Sequence, residues 1–196
     1  QKKVINVIPS LAARSAVRGV ISNCRTLLDI ECSGSINVSC RYKDKSLYEV
    51  YQFLVDNEFK IIDFIKVYNL SLFSSYRLYS VFRIIKNTDT VQNYVAEKSS
   101  HVRWALERAA HLRNQTVHSA QTDATSGGSL LFACIEILDS VFEVIQYADN
   151  IDGPIDNFDI TLQDYGKKFR ELYSKWNEDS AKSLLSGALG EYDSSN

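Results

Sequence analysis

Proline and glycine are scarce in this chain, with 2 prolines and 8 glycines among 196 residues. An all-β sandwich or barrel depends on many tight turns, and tight turns draw on both residues. The scarcity therefore argues against such folds and favours long, uninterrupted elements. Methionine is absent altogether, so we expect the sequence to be either a fragment of a longer protein or one from which some residues are missing.

Cysteine is also sparse, and Cys24, Cys32, Cys40 and Cys134 are too few and too spread out for a disulfide scaffold. The first three form no Cys-x-x-Cys pair and have no histidine nearby, as a zinc site would require. We therefore expect ordinary thiols, and we predict neither a metal site nor a cofactor.

Long apolar runs and a strong net charge are missing as well. No segment approaches the roughly 18 apolar residues of a membrane span, and no charged-then-apolar leader opens the chain. A formal net charge of -2 creates no field over the whole protein that would attract nucleic acid or an anionic membrane. We expect a cytoplasmic protein with no membrane contact, in which any nucleic-acid site is local.

Apolar side chains recur at helical spacing along most of the chain. The clearest stripe consists of Leu130, Cys134, Ile137, Leu138, Val141, Val144, Ile145 and Ala148. Because an amphipathic helix must bury its stripe against another helix, several such stripes predict an all-α helical bundle of about five to seven helices. The 11 Tyr and 9 Phe residues are spread through these stripes, which assigns most of them to the core.

The other helices are placed by the same periodicity. We predict them over about residues 4–31, 70–86, 90–114 and 162–176, with one or two more within 47–68. A polar stretch closed by Gly127 and Gly128 is predicted to be a loop. We expect a single helical-bundle domain over residues 1–185 and a frayed C-terminal tail over 186–196.

All three histidines lie within a short stretch that also carries four other cationic side chains. The set is Lys98, His101, Arg103, Arg108, His111, Arg113 and His118. Glu107 is the only carboxylate in this stretch, and a site for a phosphate-bearing ligand needs such a concentration of cationic and titratable groups. We predict that RNA is bound by Lys98, Arg103, Arg108 and His111. The alternative is a solvated basic surface, because arginines five residues apart do not share one helix face.

The end of this stretch is the hexapeptide Arg113-Asn114-Gln115-Thr116-Val117-His118. It resembles the signature of the HEPN superfamily, an arginine separated from a histidine by four to six residues, of which the first is often polar. The predicted surroundings also resemble that family: an amphipathic helix precedes the motif, and a polar loop and an apolar helix follow it. The resemblance covers about residues 90–148 and implies a HEPN-like helical bundle.

The resemblance also implies a chemistry, the metal-independent cleavage of RNA by attack of the ribose 2′-hydroxyl. His118 would then transfer protons, and Arg113 would hold the scissile phosphate and stabilise its added negative charge. Asn114 would orient one of these side chains or bond the phosphate. Many members of the family are homodimers in which two copies of the motif face each other, so a homodimer is expected here.

Two other interpretations stay open. One is a HEPN-like module that binds RNA or protein without cleaving it. The other is a helical scaffold protein with an accidental motif, since the helix macrodipole favours a histidine near a helix end without any catalysis. For the ribonuclease we expect a toxin, phage-defence or RNA-processing role, and an inhibitory or regulatory protein partner.

Overall fold

The computed structural model describes residues 7–33, 42–56, 71–119 and 127–186. Within them lie seven α-helices and a short 3₁₀ turn, and none of these residues forms a β-strand. The helices are α1 (Ile8–Ser33), α2 (Leu47–Asp56), α3 (Leu72–Ile85), α4 (Thr88–Ser119), α5 (Gly127–Asp152), α6 (Phe158–Ser174) and α7 (Glu178–Leu185). The prediction of an all-α fold with five to seven helices is confirmed. In the described ranges no helix is long and apolar enough to cross a membrane.

The observed helices lie where the sequence periodicity predicted them, except for one helix that was not predicted. The starts and ends of α1, α3 and α5 lie within a few residues of the predicted ones. The short helix α7 was not predicted. Residues 57–70 and 120–126, where a continued helix and a loop were expected, lie outside the described residues, as does the tail from 187 to 196.

Polar side chains fix where several helices begin. At α2, the Ser46 hydroxyl oxygen accepts the Glu49 N–H at 3.2 Å, while the Glu49 carboxylate accepts the Ser46 N–H at 2.8 Å. This reciprocal arrangement is a capping box. The hydrogen bond from Lys45, together with the Ser46 N–H, holds the pKa of Glu49 below its ordinary value. Side chains that accept a first-turn N–H in the same way at α3, α4, α6 and α7 are Ser71, Asn87, Asn157 and Asn177.

The chain divides into two compact units. Unit 1 comprises Gln1–Ser15 and Val95–Glu171, and unit 2 comprises Ala16–Tyr94 and Leu172–Asn196. Unit 1 therefore holds the start of α1, most of α4 and α6, and all of α5. Unit 2 holds α2, α3, α7 and the remaining parts of α1, α4 and α6. The expectation of one domain over residues 1–185 stays a prediction.

In unit 1, α4 packs against α5 through apolar side chains. Ala105, Leu130 and Ile137 are buried at the centre of this contact. The partly buried side chains around them are Ile8, Val102, Leu106, Ala109, Leu112, Ala133 and Cys134. One side of α4 is therefore packed against α5, and between residues 96 and 114 most of the side chains on its other sides are exposed to solvent.

On α5, some side chains that were predicted to be in the core are exposed. Ile137 and Val144 are buried as the stripe predicted, but Leu138 is exposed. Apolar residues lie on two sides of this helix, and periodicity alone did not show which side faces the protein. The assignment of most aromatic residues to the core is also wrong for Phe132 and Phe142, which are more than half exposed.

In unit 2, Trp176 is buried. Its indole N–H donates to the carbonyl oxygen of Ile85 at 3.2 Å, and its ring meets the Tyr51 ring edge-on with centroids 5.9 Å apart. The buried Arg18 donates from Nη1 to the carbonyl oxygens of Leu184 and Leu185, each at 3.0 Å. These bonds satisfy the last carbonyl groups of α7, which have no partner within their own helix.

Candidate functional site

The whole Arg113–His118 motif lies within helix α4. The sequence pattern predicted a helix that ends near residue 114 with the motif at its exit, whereas α4 continues to Ser119. The reason is local, because the 32 residues of α4 contain no glycine or proline that would end the helix earlier. The motif is therefore presented on regular helical backbone rather than on a loop.

Helical geometry separates the two ends of the motif. Positions 113 and 118 are five residues apart, which places them about 140° apart around the helix axis and about 7.5 Å apart along it. Positions 114 and 118 are four residues apart and therefore share a face. The side chains of residues 115–119, and so that of His118, lie outside the part of the chain that the structure describes.

Arg113 and Asn114 are both exposed, and their side chains contact each other. Arg113 Nη2 donates to Asn114 Oδ1 at 3.1 Å. This bond engages the oxygen of the carboxamide, so its nitrogen is the atom left to donate to a ligand. Arg113 thus reaches round the helix towards the face that positions 114 and 118 share.

A second group of exposed side chains on α4 forms what we call the α4 stripe: His101, Trp104, Arg108 and His111. Their spacing of three, four and three residues places them on one side of the helix, within an arc of about 100°. Trp104 is 59% exposed, and the Arg108 guanidinium lies over its ring, 5.5 Å from the centroid. Backbone register places position 118 in the same arc.

The other predicted RNA-binding residues lie off this stripe. Lys98 and Arg103 are each about 110° away from its centre, on opposite sides. Arg103 is exposed and Lys98 is half-buried. Glu97, one turn before His101, lies within the arc and is exposed, so the cationic part of the stripe begins at His101.

Trp104 is the member of this surface that sequence reasoning missed. The helical stripes assign most aromatic residues to the core, and the sequence pattern does not distinguish Trp104 from them. The available signal was its position four residues before Arg108, a spacing at which two side chains meet on a helix surface. An aromatic ring beside an arginine on the exposed side of a helix is able to contact both a base and a phosphate.

No metal site is found in the described ranges, which contain no group of three or more His, Cys, Asp or Glu side chains able to hold an ion. No protein-family model, curated protein or solved structure matches this chain. The resemblance of Arg113–His118 to the HEPN signature therefore rests on the motif and its helical setting.

Proposed function

We propose that this chain binds RNA along the α4 stripe and cleaves it, without a metal ion, at the Arg113–His118 motif. The observation that carries the proposal is the exposed Trp104–Arg108 pair, flanked by two histidines on the same face of the helix that bears the motif. The binding surface and the motif are then successive parts of one helix, so a bound strand runs from one to the other.

The α4 stripe offers the two kinds of contact that an RNA strand needs. The exposed face of Trp104 is a platform for a base, and such stacking is worth roughly 1–3 kcal/mol per base. Arg108 and the histidines supply donors for phosphate oxygens. Because the formal net charge is -2, attraction of RNA depends on this local surface rather than on the field of the whole chain.

Cleavage follows from the groups at the end of α4. His118 is proposed to accept the proton of the 2′-hydroxyl, so that the 2′-oxygen attacks the neighbouring phosphorus. The bond to the 5′-oxygen then breaks, and that oxygen takes up a proton. The products carry a 2′,3′-cyclic phosphate and a 5′-hydroxyl group.

Arg113 and Asn114 stabilise the negative charge that develops on the phosphate. The contact between them supports a division of this work: Arg113 holds the phosphate, and Asn114, whose side-chain oxygen accepts a hydrogen bond from Arg113, orients the guanidinium. The proposed enzyme is a homodimer, in line with the HEPN resemblance, and the regulatory protein partner remains part of the proposal.

Intrinsic fluorescence tests the binding step, because the chain has only two tryptophans. Trp104 is exposed, whereas Trp176 is 7% exposed and hydrogen-bonded in the core of unit 2. Titration with single-stranded RNA is expected to quench the emission of the wild type. In Trp104→Phe, which keeps an aromatic platform but removes the fluorophore, RNA should still bind in a polarisation assay without quenching.

Labelled RNA with and without EDTA tests the cleavage step. We expect cleavage that survives the chelator, leaves cyclic phosphate ends and is blocked by 2′-O-methyl sugars. Wild type that binds the RNA and never cuts it would favour the second candidate, a binding module without turnover. The angular separation of positions 113 and 118 within one copy is the observation that favours this second candidate. RNA that neither binds nor is cut would overturn both.

A further inference from the structure

Helix α3 combines aromatic and cationic side chains on the side that faces solvent. Its buried side consists of Ser74, Leu78, Val81, Phe82 and Ile85. The opposite side, which we call the α3 face, consists of Phe73, Tyr76, Arg77, Tyr79 and Arg83. By helical geometry these five positions fall within an arc of about 160° around the helix axis. All five side chains are exposed, Tyr76 by 69% and Tyr79 by 50%.

The charge on the α3 face has one sign. Helix α3 contains no acidic residue, and Lys86, directly after it, adds a third cation to Arg77 and Arg83. Among the described residues, neither arginine forms an ion pair with a carboxylate. In a chain whose formal net charge is -2, this local excess of cations favours an anionic ligand over an uncharged one.

Arg77 and Phe73 repeat the arrangement of Arg108 and Trp104. The Arg77 guanidinium lies over the Phe73 ring, four residues before it in the chain, at 5.1 Å from the centroid. The corresponding distance between Arg108 and Trp104, at the same spacing, is 5.5 Å. Each pair holds an exposed ring beside a cation, so a base and its neighbouring phosphate find both contacts within about one helical turn.

Two tyrosines extend this surface along the helix. Phe73, Tyr76 and Tyr79 are three residues apart, so their backbone positions rise in steps of about 4.5 Å. From position 73 to position 83 the face spans about 15 Å, which roughly four nucleotides cover at the spacing of about 3.4 Å in a stacked strand. Proteins that bind single strands use this pattern, in which bases stack on aromatic rings and cations hold the phosphates.

Other ligands fit the α3 face less well. Leu72 is the only exposed aliphatic residue of α3, whereas a surface that inserts into lipid or covers an apolar partner helix needs several. A duplex keeps its bases stacked on each other, so stacking on these rings requires an unpaired strand. The face therefore suits a single strand of nucleic acid better than a membrane, a protein helix or a duplex.

We propose that the α3 face is a second binding site for single-stranded RNA, in which Tyr76 and Tyr79 stack on bases and Arg77 and Arg83 contact phosphates. Helix α3 belongs to unit 2, whereas the α4 stripe belongs to unit 1. The choice of RNA over DNA rests on the proposed function. The binding of an unpaired strand does not, because it follows from the rings and charges of α3 alone.

A short oligonucleotide that resists cleavage tests this site apart from the α4 stripe. The probe is a labelled single strand of about six 2′-O-methyl adenosine nucleotides, followed by polarisation. Combining Trp104→Ala with Arg108→Ala removes the α4 stripe, so the remaining binding measures the α3 face. If this double variant binds as well as wild type, the α4 stripe fails and the α3 site stands. If it binds nothing, the inference is overturned whatever the α4 stripe does.

In that double variant, the further change Tyr76→Ala should raise the dissociation constant at least about fivefold, the scale of one lost stacking contact. Phe132→Ala is the matched control, because Phe132 is 70% exposed on α5, a helix without basic residues. It should leave the dissociation constant within about twofold. Because both positions are exposed, far-ultraviolet circular dichroism is expected to show intact helix in both variants.

The dependence of binding on salt tests the phosphate contacts in the same double variant. Arg83→Ala should make this dependence shallower by the amount of about one phosphate contact. Lys167→Ala, which removes an exposed cation from α6, should leave it unchanged. Equal effects within either pair of variants would overturn the inference. So would a duplex of the same length that binds as tightly as the single strand, or binding to phosphatidylserine vesicles in place of the oligonucleotide.

Discussion

Arg14 and Glu143 form an ion pair with 2.7 Å between Nη1 and Oε1, in which the arginine side chain is 1% exposed and the glutamate side chain 29% exposed. The guanidinium also lies 4.8 Å from the centre of the Tyr147 ring and 5.3 Å from that of Phe169. Ser15 donates a hydrogen bond to the other carboxylate oxygen. Within unit 1, a buried cation is thus balanced by a carboxylate that keeps some contact with water.

This asymmetry predicts unequal effects of removing the two partners. Glu143→Ala leaves a fully buried guanidinium without a counter-ion and should lower the free energy of unfolding by about 3–5 kcal/mol. Arg14→Met leaves a carboxylate that is partly hydrated and should lower it by less, and the double variant should be no worse than Glu143→Ala alone. Urea unfolding followed by circular dichroism measures all three. A larger loss in Arg14→Met would show that packing of the arginine outweighs its charge.

The close approach of α6 to the start of α1 depends on Gly166. A Cβ atom at this position would overlap Val7 and touch Leu11, so Gly166→Ala should lower the free energy of unfolding by about 1–3 kcal/mol. Gly19→Ala is the matched control, because Gly19 is also within a helix but a Cβ there meets nothing within 4 Å. It should stabilise the protein by up to about 1 kcal/mol. Thermal unfolding of the two variants should shift in opposite directions, and a shift in the same direction would contradict the packing described for Gly166.

Burial raises the pKa of the Cys24 thiol to about 12. The folded protein therefore keeps this thiol protonated, and its contribution to stability is complete below the ordinary thiol pKa. That contribution is lost progressively as the pH rises from about 9 towards 12. Cys24→Ala should accordingly show a shallower loss of unfolding free energy over the accessible alkaline range than wild type. Iodoacetamide at pH 8 should label the half-buried Cys134 well before Cys24, and rapid labelling of Cys24 in the folded protein would refute this.

The sequence predicted helices well because their stripes are local and repeated. It predicted burial less well where both sides of a helix are apolar, as the exposed Leu138 of α5 shows. It missed Arg14 and Arg18, which replace apolar residues on the buried side of α1 and find partners far along the chain. It also missed α7, whose eight residues are too few to show a period. For the site, it found the cationic residues, but it did not show that position 118 continues the helical register of His101, Arg108 and His111, because the predicted helix ended near residue 114 and α4 continues to Ser119.

The different positions of Arg103 and Arg108 around α4 lead to a prediction about RNA affinity. Arg108→Ala and Arg103→Ala remove the same charge from the same helix, but only Arg108 lies on the α4 stripe beside Trp104. Arg108→Ala should weaken RNA binding more than Arg103→Ala does. It should also make the dependence of log affinity on log salt concentration shallower, by the amount that corresponds to about one phosphate contact. Polarisation titrations at several salt concentrations measure both quantities. Equal losses in the two variants would indicate a diffuse basic surface instead of a defined strand path.

The chemistry of cleavage gives the last prediction. Under single-turnover conditions with saturating RNA, His118→Ala should slow cleavage by at least about 100-fold, the usual scale for losing a general acid or base. Arg113→Ala should lose a similar amount, because the charge on the transition state is left without support, and Arg113→Lys should restore only part of it.

His101→Ala serves as the control for that series. His101 belongs to the α4 stripe, so its loss should weaken binding while leaving the rate at saturation within a few-fold of wild type. The same RNA panel, resolved on denaturing gels, yields both quantities. Because the product ends report the mechanism independently of the rate, residual cleavage by His118→Ala that still leaves cyclic phosphate ends is compatible with the assignment. Cleavage at the wild-type rate by His118→Ala is not, and it would move the acid–base role to another residue.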